Sequence, residues 1–302
     1  MPLDPEIAIV LKSLEGMPPM ERMSLAELRA SVAPVAPERR APVAAVRDLV
    51  AGLGIPLRQY TPLELASDRL IVYFHGGGFV IGDLETHDHL CRDLANASGC
   101  SVVAVDYRRA PECRFPIPLD DCIAAVRWIA ANDRELGVST ERLILAGDSA
   151  GANLATVTAL RLREEGGPRL VGQLLAYPVT DYHTPATPSY LENAEGYSLT
   201  RNAMIRFWQD YVATPEQGCQ PYAAPLRAPS LAGLPAALVM TAQFDPLRDE
   251  GDAYARRLAE SGVAVTHLRY DGLIHGFLRM AMVSRRAREA FADIRRWVDS
   301  LP

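Results

Sequence analysis

The 302-residue sequence contains no apolar run approaching the roughly 18 residues needed to cross a bilayer, so stable membrane insertion is not expected. Nothing near its start resembles an export leader, in which a basic stretch is followed by an apolar one and then by small residues. Its five cysteines, Cys91, Cys100, Cys113, Cys122 and Cys219, are odd in number and show no C-x-x-C spacing. Both features point to the reducing cytoplasm rather than to a disulfide framework. An excess of basic charge is also missing: the net charge is −6 and the isoelectric point is near 5.6, which disfavours nucleic-acid and anionic-membrane partners. Arginine pairs such as Arg39 with Arg40, or Arg285 with Arg286, read as solvated faces. No H-E-x-x-H and no cluster of carboxylates at ligand spacing suggests a metal, and no cofactor is expected. Internal repeats and low-complexity tracts are absent as well.

What is present fits a globular chain with a sizeable core: 49% hydrophobic residues, 23% charged residues and a mean hydropathy of zero. A short helix is predicted at the start, capped by Asp4, opened by Pro5, and carrying Ile7, Val10, Leu11 and Leu14 on one face before Gly16. Ser24 and Glu27 have capping-box spacing for a second helix. Pro34, Pro37 and Pro42 then mark a connector. Short, more polar segments between Val43 and Thr61 suit antiparallel edge strands. Apolar β-branched runs follow at Leu70–Phe74, Val102–Val105, Leu143–Ala146, Leu174–Tyr177, Ala237–Thr241 and Val265–Tyr270, separated by helix-length segments. That alternation predicts an α/β chain with a largely parallel sheet, in which ligands bind beyond the carboxyl ends of the strands. It stops between Asp181 and Ala223, where loops rich in Pro, Tyr and Thr surround one amphipathic helix near Asn202–Val212. This segment reads as an insertion.

Ser149 is the most informative residue. In Gly147-Asp148-Ser149-Ala150-Gly151 it follows an apolar strand and precedes a helical pattern that carries Leu154, Val157, Leu160 and Leu162. Glycines two residues to either side permit a sharp strand-to-helix turn with the hydroxyl at its tip. The plain alternative is a helix start capped by Ser149. A serine nucleophile needs a base, and the base needs an acid to orient it. Of the six histidines, His267 falls in an alternating strand, His87 and His89 at a helix start and His183 in the insertion. His275 stands in a glycine-flanked loop, Asp271 to Phe277, after the last strand, and is the expected base. Asp245, just past the strand Ala237–Thr241, is the expected acid, with Pro246 opening the next helix; Asp249 competes for the role. His75-Gly76-Gly77-Gly78-Phe79 follows another strand and offers amides to a developing oxyanion. A phosphate loop would need a following Lys-Ser or Lys-Thr, and a dinucleotide site a G-x-G-x-x-G with a downstream acid; neither is present.

Together these motifs closely resemble the bacterial members of the hormone-sensitive lipase family of α/β-hydrolases. The resemblance runs nearly end to end and includes Gly82 to Asp88, Asp106-Tyr107-Arg108, Ala110-Pro111-Glu112, Asp245 to Asp249 and His275-Gly276-Phe277. It implies the α/β-hydrolase fold, a mostly parallel central sheet covered by helices on both faces, with a helical cap. The implied organisation is N-terminal cap helices and connector in 1–42, core in 43–180, cap insertion in 181–222 and core again in 223–302. The implied activity is a carboxylesterase acting on short to medium acyl chains of small-molecule esters. Ser149, Asp245 and His275 would form the triad. The amides of Gly77, Gly78 and Ala150 would form the oxyanion hole, with Gly76 as hinge. Met204, Phe207, Trp208 and Tyr211 recur at helical spacing in the insertion and face either the substrate pocket or ordinary packing. Arg109 stands where relatives usually carry leucine, beside Glu112, which is expected to brace the site rather than react. An amidase or deacetylase would use the same triad. A small-molecule receptor on this fold would lose the histidine, and a lipase would carry a larger apolar lid. A monomer or homodimer is expected.

Overall fold

Strands that are apolar on both faces are stable only where helices cover both sides of the sheet. In the computed structural model, which describes residues 1–302, β3 (Leu70–Phe74), β4 (Ser101–Val105) and β5 (Leu143–Asp148) are buried at every residue and meet this condition fully, and they belong to a set of eight strands with β1 (Ala45–Ala51), β2 (Ile55–Thr61), β6 (Leu170–Ala176), β7 (Ala236–Phe244) and β8 (Val265–Ile274). Their order in one sheet is β1-β2-β4-β3-β5-β6-β7-β8. β2 is antiparallel to both of its neighbours, and every pair from β4 to β8 is parallel. The polar segments before residue 62 thus form one edge, as their composition predicts.

The helices are α1 (Pro5–Ser13), α2 (Leu25–Ala30), α3 (Asp88–Ser98), α4 (Ile117–Ala131), α5 (Asp133–Leu136), α6 (Ala150–Glu165), α7 (Pro188–Glu192), α8 (Arg201–Tyr211), α9 (Pro215–Gly218), α10 (Arg248–Glu260) and α11 (Arg285–Ser300). Side chains alternate across β3: Leu70, Val72 and Phe74 pack with α4, α6 and α10, whereas Ile71 and Tyr73 pack with α3 and α11. Each face therefore has its own core, and all five residues of β3 are buried.

Three local readings are refined. β8 continues through Asp271 and Gly272, because its pairing with β7 extends to Phe244 and Ile274 after a register shift. His275 consequently stands directly at a strand end rather than within a loop begun at Asp271. α10 starts at Arg248, since the Asp245 side chain holds the Leu247 amide and turns the chain before the helix begins. In α1 only Ile7 is fully buried, with Leu11 packed against the same core; Leu14, which caps the helix, is exposed. The capping residues Asp4, Ser24 and Glu27 behave as predicted. α8 is tied to the N-terminal segment by Arg206, whose Nη1 donates to the carbonyls of Met20 (2.6 Å) and Met23 (2.5 Å).

Candidate active site

β5 ends at Asp148 and α6 begins at Ala150, so Ser149 alone makes the turn, with φ 54° and ψ −119°. That conformation is rare for a residue with a side chain and persists only where its surroundings enforce it. Here Ser149 donates its amide to the Ala176 carbonyl of β6 at 2.9 Å. A Cβ on Gly151 would lie 2.0 Å from the Phe74 carbonyl oxygen, and one on Gly147 would lie 2.3 Å from Gly151. Both flanking glycines are therefore sterically required. Ser149 occupies the cap position of α6, yet its hydroxyl caps no helix amide. The Oγ instead lies 2.9 Å from Nε2 of His275.

His275 Nδ1 is 2.8 Å from Oδ2 of Asp245. Asp245 is completely buried; its Oδ1 accepts from the Leu247 amide at 2.8 Å, and Asn193 Nδ2 donates to its carbonyl at 3.1 Å. Tyr177 packs edge-on against the His275 ring at 4.9 Å between centroids. Three side chains distant in sequence thus form one hydrogen-bonded line across the ends of β5, β7 and β8. Asp249 is not part of it: its carboxylate accepts from the Ser189 amide and from Arg248.

After β3 the chain enters His75-Gly76-Gly77-Gly78. His75 stacks on Tyr107 at 4.2 Å, and burial pulls its imidazole down to about 3, so it is neutral. The Gly76 amide donates to Asp148 Oδ1 at 2.7 Å, and Tyr73 donates to the same oxygen at 2.5 Å. Burial pushes the Asp148 carboxyl up, but neighbouring His87 and the Tyr73 hydrogen bond outweigh it and leave the group below the usual carboxylate range. The amides of Gly77 and Gly78 donate to nothing within the protein. Gly78, at φ 58°, has the Phe207 ring where a Cβ would be, 2.2 Å away. Glu112 accepts both Nη donors of Arg29 on α2 at 2.7 Å, so it braces the N-terminal segment and does not face the serine. Arg109 donates to the Gly82 carbonyl.

Ser149 and His275 open on a cavity of about 300 Å³, lined also by Gly77, Gly78, Ile81, Leu199, Met204 and Phe207. Met204 and Phe207 thus reach it as the insertion reading allows. Trp208 and Tyr211 do not. Both are fully buried, and Tyr211 stacks on Phe79 at 3.7 Å, because the C-terminal turn of α8 packs into the core. Sequence reasoning missed Asp148, which was visible only as the variable position of the serine motif. It also missed His87, which precedes α3 but lines the cavity, and Arg279, one turn beyond His275. No three His, Cys, Asp or Glu side chains converge as a metal site, and no helix is long and apolar enough to cross a membrane.

Comparison with known proteins places the chain in a family. A family model described as alpha/beta hydrolase fold matches residues 71–279. Esterase LipI of Mycobacterium tuberculosis is 41% identical over 261 residues, spanning 85% of this chain and 81% of that protein. An arylesterase of Saccharolobus solfataricus is 35% identical over 95% of both chains. The solved structure of a hyperthermophilic esterase from Pyrobaculum calidifontis superposes with a TM-score of 0.92 at 39% identity, covering 99% of each chain. The chain therefore belongs to the hormone-sensitive-lipase-like esterases of the α/β-hydrolase fold.

Proposed function

We propose that this carboxylesterase works through an acyl-enzyme on Ser149, with His275 as base and acid and Asp245 as the group that orients it. The observation that carries this reading is the continuous line from Ser149 Oγ through His275 to buried Asp245, beside two amides with no partner in the protein. With its Nδ1 proton donated to Asp245, His275 presents the Nε2 lone pair to the serine hydroxyl. As Ser149 attacks the ester carbonyl, His275 takes the hydroxyl proton and then delivers it to the leaving alcohol. The amides of Gly77, Gly78 and Ala150 would receive the oxyanion, aided by the N-terminus of α6. Water activated by the same histidine then releases the acid. Gly76 would set the position of the donors through its bond to Asp148.

Segments 1–42 and 181–222 would form the cap: Met20 and Val32 from the first and Leu199, Met204 and Phe207 from the second share the cavity lining. A cavity of about 300 Å³ suits short to medium acyl chains. The test is Ser149→Ala assayed on p-nitrophenyl butyrate. The expected loss in kcat is on the order of 10⁴ or more, with the fold retained by circular dichroism. Activity within a few-fold of wild type would overturn the assignment.

A further inference from the structure

We propose that Arg279 is a specificity residue that recognises a carboxylate on the substrate, so that preferred substrates are esters bearing an anionic carboxylate beyond an apolar spacer. This rests on the assignment of Ser149 as nucleophile. Arg279 lies on the short 3₁₀ turn Phe277–Met280, one turn past His275. It lines the catalytic cavity and also a wider groove of about 770 Å³ bounded by α1, the Met17–Met23 stretch and Ser31–Ala33. It therefore stands where the groove joins the cavity.

Its guanidinium has no partner. Arg29, Arg58, Arg206 and Arg248, all partly buried, donate to carboxylates or carbonyls, whereas the Arg279 side chain makes no ion pair or hydrogen bond, and its Nε is buried without an acceptor. Asp148, the carboxylate that shares the cavity, takes its hydrogen bonds from Tyr73 and Gly76. Glu15, which also lines the groove, pairs with no arginine. Asp148 feels the charge of Arg279 but accepts no hydrogen bond from it, so the buried Nε is left without an acceptor, a cost that is offset when a ligand in the cavity supplies one. The planar fork of arginine fits a carboxylate with two parallel hydrogen bonds. The surrounding surface is apolar, from Met20, Val32, Ile81, Leu199, Met204 and Phe207, and suits a methylene spacer between the charge and the ester. For a hemiester of a dicarboxylic acid, the bond between the acyl carbon and the alcohol oxygen breaks. Water supplies hydroxyl to the acyl group and a proton to the alcohol, leaving a dicarboxylate.

The experiment compares kcat/KM for monomethyl glutarate with methyl pentanoate, and for 4-acetoxybutyrate with butyl acetate, in wild type, Arg279→Gln and Arg279→Lys. The two pairs separate a carboxylate on the acyl side from one on the alcohol side. In at least one pair the ratio of charged to neutral substrate should fall about tenfold or more in Arg279→Gln, with partial recovery in Arg279→Lys. An unchanged ratio in both pairs overturns the proposal. So does an equal loss on charged and neutral substrates, which would mean that Arg279 serves only to support the Asp148 carboxylate. Wild type alone supplies a readout independent of variant folding: glutarate should inhibit p-nitrophenyl butyrate hydrolysis competitively and glutaramide should not. Equal inhibition by the two, or none, contradicts the proposal. Failure of the nucleophile assignment is separate, since it appears as turnover surviving Ser149→Ala.

Discussion

Asp245 and Asp249 stand four residues apart, yet only one of them meets His275. The difference is positional: Asp245 leaves β7 before α10 begins, whereas Asp249 lies within the helix and points to α7. Asp245→Asn should therefore lower kcat by about 10³ to 10⁴, because an amide in that place can hold the imidazole in the wrong tautomer. Asp249→Asn should cost less than about tenfold, since it removes only structural contacts. Steady-state kinetics on one neutral ester checks both. The acid could be ranked from the sequence by its closeness to a strand end. His87 could not, because its local signal is that of a residue preceding a helix, and only the fold turns its ring toward Asp148, 3.6 Å away. Trp208 illustrates the converse: helical spacing marks a common face on α8 but does not say which turn of that face meets the cavity.

The strand, turn and helix around Ser149 show how a small element dictates chemistry. Gly151 packs against the backbone of β3 so closely that a methyl group there would meet a carbonyl oxygen, which no rotamer change can move. Gly151→Ala should destabilise the fold by about 3 kcal/mol or more, as overpacking against backbone does, and urea unfolding measures it. Loss of activity with unchanged stability would place the constraint elsewhere. Most strands were legible as apolar runs, since a sheet buried on both faces leaves little room for polar residues. The extension of β8 through Gly272 was not, because it depends on pairing with β7, a contact that no local pattern encodes. The edge strands were legible for the opposite reason: β1 is largely exposed and keeps Arg47 and Asp48.

Across the whole molecule, buried neutral histidines link stability to pH. Burial lowers His75 from 6.5 to about 3 and His89 from 6.5 to about 4. The unfolded chain therefore binds protons that the folded chain refuses. Their stabilisation is complete above pH 6.5 and is lost as the pH falls through 4 and then 3. Asp93, raised by burial from 3.8 to about 6, acts in the opposite sense between those values. His89→Gln should flatten the decline in the urea midpoint between pH 6.5 and 4; an unaltered slope would remove His89 as a cause. The claim on which the account depends most is that Ser149 is the single residue carrying the acyl group. Intact-mass spectrometry after treatment with diethyl p-nitrophenyl phosphate tests it most directly, because that reagent leaves a stable diethylphosphoryl group on an activated serine. The account predicts one adduct per chain, complete loss of esterase activity in proportion to labelling, and a modified peptide containing Ser149. Stoichiometric inactivation with the adduct on another residue, or with Ser149 unmodified, would contradict it.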